Sequence, residues 1–165
     1  LKTPICEICA KTGALCSGCK AKVEGGKMSE LDVEISKLLY KINETHNINE
    51  ASFVKALDLG RIILILTEGD VGILIGKDGK VVSELSQSLG KKVRIAEYTG
   101  DLRKSIADIL TPARLVGLNK IYLGGKETYK VRLLKSEISL LPLDISTLEK
   151  VLHSLVGEEV RIIFE

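Results

Sequence analysis

Tryptophan is absent from this 165-residue chain, which has only two phenylalanines and four tyrosines. So few rings exclude a platform of aromatic side chains on which nucleic-acid bases stack. An excess of one charge is missing too, since 24 Lys and Arg stand against 22 Asp and Glu for a net of +2. The chain as a whole is therefore not a polybasic nucleic-acid binder, and any pull on anions must come from local patches. Long apolar runs are also lacking. The longest, Ile62 to Leu66, is strand-sized and far short of the roughly 20 residues that cross a bilayer. No signal peptide is legible, so a cytoplasmic protein with no membrane partner is the expectation. The first methionine is Met28, and the natural sequence is expected to begin upstream of Leu1.

Catalytic patterns are equally scarce. His46 and His153 are the only histidines, each without a spaced ligand partner, and both read as exposed helix or turn residues. No Ser-His-Asp set, His-Glu-x-x-His or Walker-type loop occurs, so the chain does not read as an enzyme. What is present is a core-forming composition, 45% apolar and 28% charged, of a size for one ordinary domain or two to three small ones.

All four cysteines fall within fourteen residues, as Cys6-Glu-Ile-Cys9 and Cys16-Ser-Gly-Cys19. Two Cys-x-x-Cys turns complete a tetrahedral four-sulfur site, and zinc is its commonest occupant. Rubredoxin-like iron fits the same thiolates. A redox dithiol would sit on a strand-helix unit, whereas these pairs read as a glycine-bearing loop. Four protein ligands leave no open position, so one structural Zn2+ is expected, in a segment that folds only with metal bound. The lysines at 2, 11, 20, 22 and 27 offset the thiolate charge, touch an anionic partner or form a solvated face.

After the Gly25-Gly26 hinge, Ser29-Glu-Leu-Asp32 has the form of a capping box, and Leu31, Ile35, Leu38, Leu39 and Ile42 recur at helical spacing. A helix is predicted over Ser29 to Glu44, strands over Ala51 to Leu57 and Arg61 to Thr67, a short helix over Val71 to Ile75, a helix over Lys80 to Leu89 ending at Gly90, and a strand over Lys92 to Tyr98. Between the last two helices lies Gly76-Lys77-Asp78-Gly79. Its glycines let a phosphate approach the main chain, and the next helix turns its N-terminus on that anion. Lys77 and Lys80 add charge, Lys91, Lys92 and Arg94 could guide a strand, and Asp78 is placed to cap the helix. Ile75, with Ile73, Val82 and Val93 to Ile95, is a candidate groove lining; for any one of them core is the favoured reading.

A slide of 67 residues lays Gly90-Lys-Lys-Val-Arg-Ile95 on Gly157-Glu-Glu-Val-Arg-Ile162, and Asp70-Val-Gly-Ile-Leu74 on Glu137-Ile-Ser-Leu-Leu141. A second copy follows, with a helix over Asp101 to Leu110 and strands over Leu118 to Leu123 and Thr128 to Leu134 around Gly124-Gly125-Lys126. Its counterpart of the glycine turn is Leu143-Asp144-Ile145-Ser146, and Lys91 and Lys92 have become Glu158 and Glu159. This copy is not expected to hold a nucleic-acid backbone.

The order αββααβ around a Gly-x-x-Gly turn resembles the type II KH fold. Two such modules, the first closing in Gly-Lys-Lys-Val-Arg-Ile-Ala-Glu-Tyr, resemble the compact archaeal NusA-like proteins over about Met28 to Glu165. The expected class is α+β: a four-cysteine zinc-binding knuckle at 1–26, a KH type II module with an intact glycine turn at 27–99, and a degenerate one at 100–165. The resemblance implies an RNA-binding protein, working with RNA polymerase or an RNA-processing complex in transcription elongation or termination, that holds about four nucleotides of single-stranded RNA in its first module. Single-stranded DNA stays open, since nothing visibly reads a 2′-hydroxyl. Two other readings stand beside it: a protein-interaction adaptor with weak nucleic-acid contact, and a Cys-x-x-Cys oxidoreductase.

Overall fold

A computed structural model describes all residues from Leu1 to Glu165. They form two compact units, Leu1–Tyr98 and Thr99–Glu165.

The first unit opens with two short helices, α1 (Glu7–Thr12) and α2 (Ser17–Glu24), followed by the fourteen-residue α3 (Glu30–Asn43). Its Ser29 side chain accepts from the Asp32 N–H while Asp32 accepts from the Ser29 N–H, so the capping box forms. The buried Asp32 also accepts from the Ala56 N–H at 2.8 Å, which ties the start of α3 to strand β1 (Ser52–Asp58). That reach into the sheet was not legible in the local motif. β1 pairs antiparallel with β2 (Ile62–Glu68), and β2 pairs parallel with β3 (Lys92–Glu97), giving the order β1-β2-β3. Between β2 and β3 come α4 (Gly72–Ile75), a 3₁₀ turn over Lys77–Gly79, and α5 (Lys80–Leu89). Ile35 and Leu39 of α3, Ile65 of β2, Leu74 of α4 and Leu85 of α5 are fully buried in one core, each contributing about 1.5–3 kcal/mol.

The cysteine segment shares this unit. Ile5, Cys9, Ala10 and Cys19 are buried with Met28 and with Val33 of α3, and Lys2 pairs its backbone with Ala51 and Phe53 beside β1.

The second unit repeats the order: α6 (Leu102–Leu110), β4 (Leu115–Leu123), β5 (Lys126–Leu133), a 3₁₀ segment over Lys135–Leu140, α7 (Ile145–Val156) and β6 (Glu159–Phe164). Its sheet runs β4-β5-β6, again antiparallel then parallel. The hairpin is tighter than expected, because β5 already begins at Lys126 after the two-residue turn Gly124-Gly125.

The repeat also contains a slip. Gly90 and Gly157 both cap their helices in the left-handed conformation, as a 67-residue offset requires. In the sheets, however, Ile63 pairs with Val93 while Tyr129 pairs with Val160, so the middle strands correspond at 66. A one-residue shift in a strand turns every side chain to the other face. The extra residue is absorbed between β5 and α7, where side-chain alternation does not constrain it.

Candidate nucleic-acid interface and metal centre

The turn between α4 and α5 is built from unusual backbone angles. Gly76 sits at φ 77°, ψ 170°, Asp78 at φ 57°, ψ 26°, and Gly79 at φ 72°, ψ 17°. The Gly76 conformation is essentially restricted to glycine. A Cβ there would also lie 2.5 Å from Cγ2 of Val81. Gly79 needs glycine only for its left-handed angle, since a Cβ would meet nothing closer than 3.8 Å. Main chain therefore forms much of the surface of the turn, with Lys77 exposed within it and Lys80 exposed just after it.

The start of α5 has Gly79 as its N-cap and no side-chain cap. Asp78 does not cap the helix, contrary to expectation: its left-handed backbone is part of the turn and its side chain is exposed. The second unit does the opposite. Asp144 caps α7, accepting from the Thr147 N–H at 3.1 Å and its hydroxyl at 2.6 Å. The Thr147 hydroxyl, and then its N–H, hold the Asp144 carboxyl below the usual carboxylate range. So one unit presents an uncapped helix start behind glycines, while its counterpart covers its own with a carboxylate.

Beside the turn, Ile75 is 37% exposed, Ile73, Val82 and Ile95 are half-buried against the core, and Val93 is core. Lys92 and Arg94 are exposed on edge strand β3. Lys91 is not free, because its ammonium lies 2.8 and 3.0 Å from the two carboxylate oxygens of Asp58. Burial works against the Asp58 charge, yet Lys91 and the Gly60 N–H hold its pKa below the ordinary value. In the second unit Glu158 meets Lys120 at 3.4 Å. Asp58 and Lys120 hold the same register position, opposite Ile63 and Tyr129, so the change of Lys91 to Glu158 goes with a reversal of sign in both members of the pair. His46 is half-buried and lies 3.3 Å from Glu84 of α5, and is not the isolated surface residue expected. His153 is exposed, with Nδ1 2.7 Å from the Glu158 carbonyl.

The cysteines come together beside α3. Cys6 Sγ lies 3.2 Å from Cys9 Sγ and 4.0 Å from Cys16 Sγ, and all four sulfurs lie within 4.8 Å of one another. Zinc bound at about 2.3 Å to each would set them about 3.8 Å apart, so the spacing fits one tetrahedral ion. The loop expected around both pairs is not there: Cys6 and Cys16 are the N-caps of α1 and α2. A loop therefore does not separate these cysteines from a redox pair; the convergence of four sulfurs, two from each helix start, does.

Backbone N–H groups of Cys6, Cys16 and Cys19 donate to Sγ of Cys19, Cys9 and Cys16 respectively. Cys16 is drawn down to about 6, chiefly by the Cys19 N–H and then by the Cys9 thiol. The Cys16 N–H lowers Cys9, but the Cys6 sulfur and burial outweigh it and push Cys9 up to about 12. Sulfurs this close repel one another as thiolates unless a cation stands among them. This donor set suits a soft-to-borderline divalent ion.

Comparison with known proteins agrees with the topology. A KH domain family model matches residues 31–119. Two archaeal relatives, each named "Probable transcription termination protein NusA", are similar in sequence: one from Methanocaldococcus jannaschii at 47% identity over 55 residues, 33% of this chain and 30% of that protein, and one from Methanococcus vannielii at 32% over 89 residues, 54% and 49%. The matches thus span no more than about half the length of these relatives. The crystal structure of APE1850 shares the fold, with a TM-score of 0.53 at 19% identity over 77% of this chain and 96% of that one. With more than half of its residues matched by that model, the chain belongs to the KH domain family.

Proposed function

We propose that this protein is a non-enzymatic, cytoplasmic RNA-binding factor in which the turn Gly76-Lys77-Asp78-Gly79 holds the backbone of single-stranded RNA. The observation that carries it is the contrast between the two helix starts: uncapped behind glycines at α5, closed by Asp144 at α7. A phosphate seated on the turn meets main chain without a Cβ in the way and gains from the α5 dipole, with Lys77 and Lys80 adding charge. Bases then lie along Ile75 and Val82 toward β3, where Lys92 and Arg94 meet the strand; Lys91, tied to Asp58, contributes to the sheet instead.

In this reading residues 1–26 are a zinc knuckle held by Cys6, Cys9, Cys16 and Cys19, 27–99 a type II KH module, and 100–165 a degenerate second one. The names of the archaeal relatives support a place in transcription elongation or termination beside RNA polymerase, or in RNA processing.

The test is a titration of single-stranded RNA at fixed salt with the Lys77→Asp, Lys80→Asp double variant. Replacing two cations by two anions is expected to weaken binding at least tenfold with the fold intact by circular dichroism. Unchanged affinity would sink the clamp. It would also favour the adaptor reading, for which Ile138, Leu140 and Ile145, exposed where the second unit has lost its glycines, are the supporting observation.

A further inference from the structure

Four strands lie at sheet edges, and three of them are guarded. β1 is covered at its start by the backbone of Lys2, whose N–H donates to Ala51 and whose carbonyl accepts from Phe53. β3 presents exposed Lys92, Arg94 and Glu97, and β6 presents exposed Glu159 and Arg161. Charged side chains of this kind are how edges resist pairing with another chain.

β4 has no such guard. It is nine residues long, about 30 Å of strand, and pairs with β5 alone. It has no proline, and its bulge is confined to the Leu115–Gly117 end. Its one charged residue, Lys120, is turned onto its own sheet: the ammonium lies 2.7 Å from Glu127 and 3.4 Å from Glu158, and 5.4 Å from the centre of the Tyr129 ring. Exposed along the strand are Val116 at 37%, Tyr122 at 73% and Leu123 at 47%.

We propose that the open edge of β4 pairs antiparallel with β4 of a second copy of this chain. The sequence Leu-Val-Gly-Leu-Asn-Lys-Ile-Tyr-Leu is apolar at both ends around Asn119. An isologous pair applies the two ends of a strand to each other. With the two-fold at Asn119, the Leu115–Val116 end of one copy meets the Tyr122–Leu123 end of the other, and Gly117, whose open side is filled by the Arg132 guanidinium of its own chain, faces Ile121. Leu118 faces Lys120, whose charge already has partners in its own chain. No like charges oppose one another anywhere along the pair. The result joins two three-stranded sheets into one of six strands. One strand pair is near the lower limit of about 1,000 Å² for a specific interface, so the dimer is weak.

Sedimentation velocity of the full chain from low to high micromolar concentration tests it. A shift from monomer to dimer is expected. Val116→Lys with Tyr122→Lys, both at exposed positions, should raise the dissociation constant at least tenfold, whereas Arg161→Ala on the β6 edge should leave it unchanged. A second readout needs no folding argument: benzoylphenylalanine at position 122 should crosslink to the 115–117 stretch of an isotopically distinct chain. A monomer at every concentration overturns the proposal, as does a dimer indifferent to the lysine pair or a crosslink elsewhere.

Discussion

Gly76 and Gly79 look interchangeable in the sequence, and their surroundings separate them. Both have positive φ, so alanine at either is strained. At Gly76 the new Cβ also meets the Val81 side chain and its backbone nitrogen, at 2.5 and 2.9 Å, in a backbone region that other residues hardly visit. Gly79→Ala should cost about 1 kcal/mol, and Gly76→Ala about 3 kcal/mol, because α5 must shift as well. Urea unfolding of both variants checks the order; equal losses would mean the turn relaxes freely. Asp78 teaches a related lesson. The sequence places an acidic residue just ahead of a helix, which reads as a cap, but only the backbone angles reveal that Gly79 intervenes as the N-cap. At Asp144 the same reading would have succeeded, since that carboxylate stands directly before α7 and bonds to Thr147.

Among elements, those with strong periodicity were the legible ones. α5 has the bounds expected from Val81, Val82, Leu85 and Leu89, and α3 lies within one residue of its expected ends because its capping box fixes the start. α1 and α2 were not foreseen: six and eight residues with few apolar positions give no helical period, and their caps are cysteines. Their packing was invisible for the same reason. Cys9 and Cys19 are buried with Met28 and Val33, Lys37 donates to the Gly13 carbonyl and Tyr40 to that of Leu1, so the cysteine segment rests on α3. Metal bound by the four sulfurs should therefore stabilise α3 as well as its own turns. Chelation of the purified protein is expected to release one zinc per chain, to lower the unfolding temperature by several degrees, and to speed amide exchange along α3. Loss of zinc with α3 exchange unchanged would make the segment an independent appendage.

At the scale of the whole molecule, the near-balance of charge limits how the proposed RNA contact can be made. A net charge of +2 provides little general attraction for a polyanion. Lys91 is paired with Asp58, Lys120 with Glu127 and Glu158, Arg132 with Glu165 and Arg161 with Glu159. These four of the chain's 24 basic residues are thus neutralised within the chain, and three of the five pairings join residues too far apart in sequence for any local pattern to reveal them. The lysines of the proposed clamp, by contrast, were visible because two glycines frame Lys77 and Lys80 follows the second. If that turn takes one or two phosphates, each should release its share of counterions. The logarithm of affinity should then fall with the logarithm of salt at a slope between about −0.7 and −1.4 for single strands. The slope should move toward zero in the Lys77→Asp, Lys80→Asp protein. It should stay the same when Lys126 and Lys130, exposed and half-buried on β5 of the second unit, are changed to alanine. A slope steeper than about −3, or one that falls with the β5 lysines, would shift the RNA contact to a broad surface across the second unit and away from a single clamp.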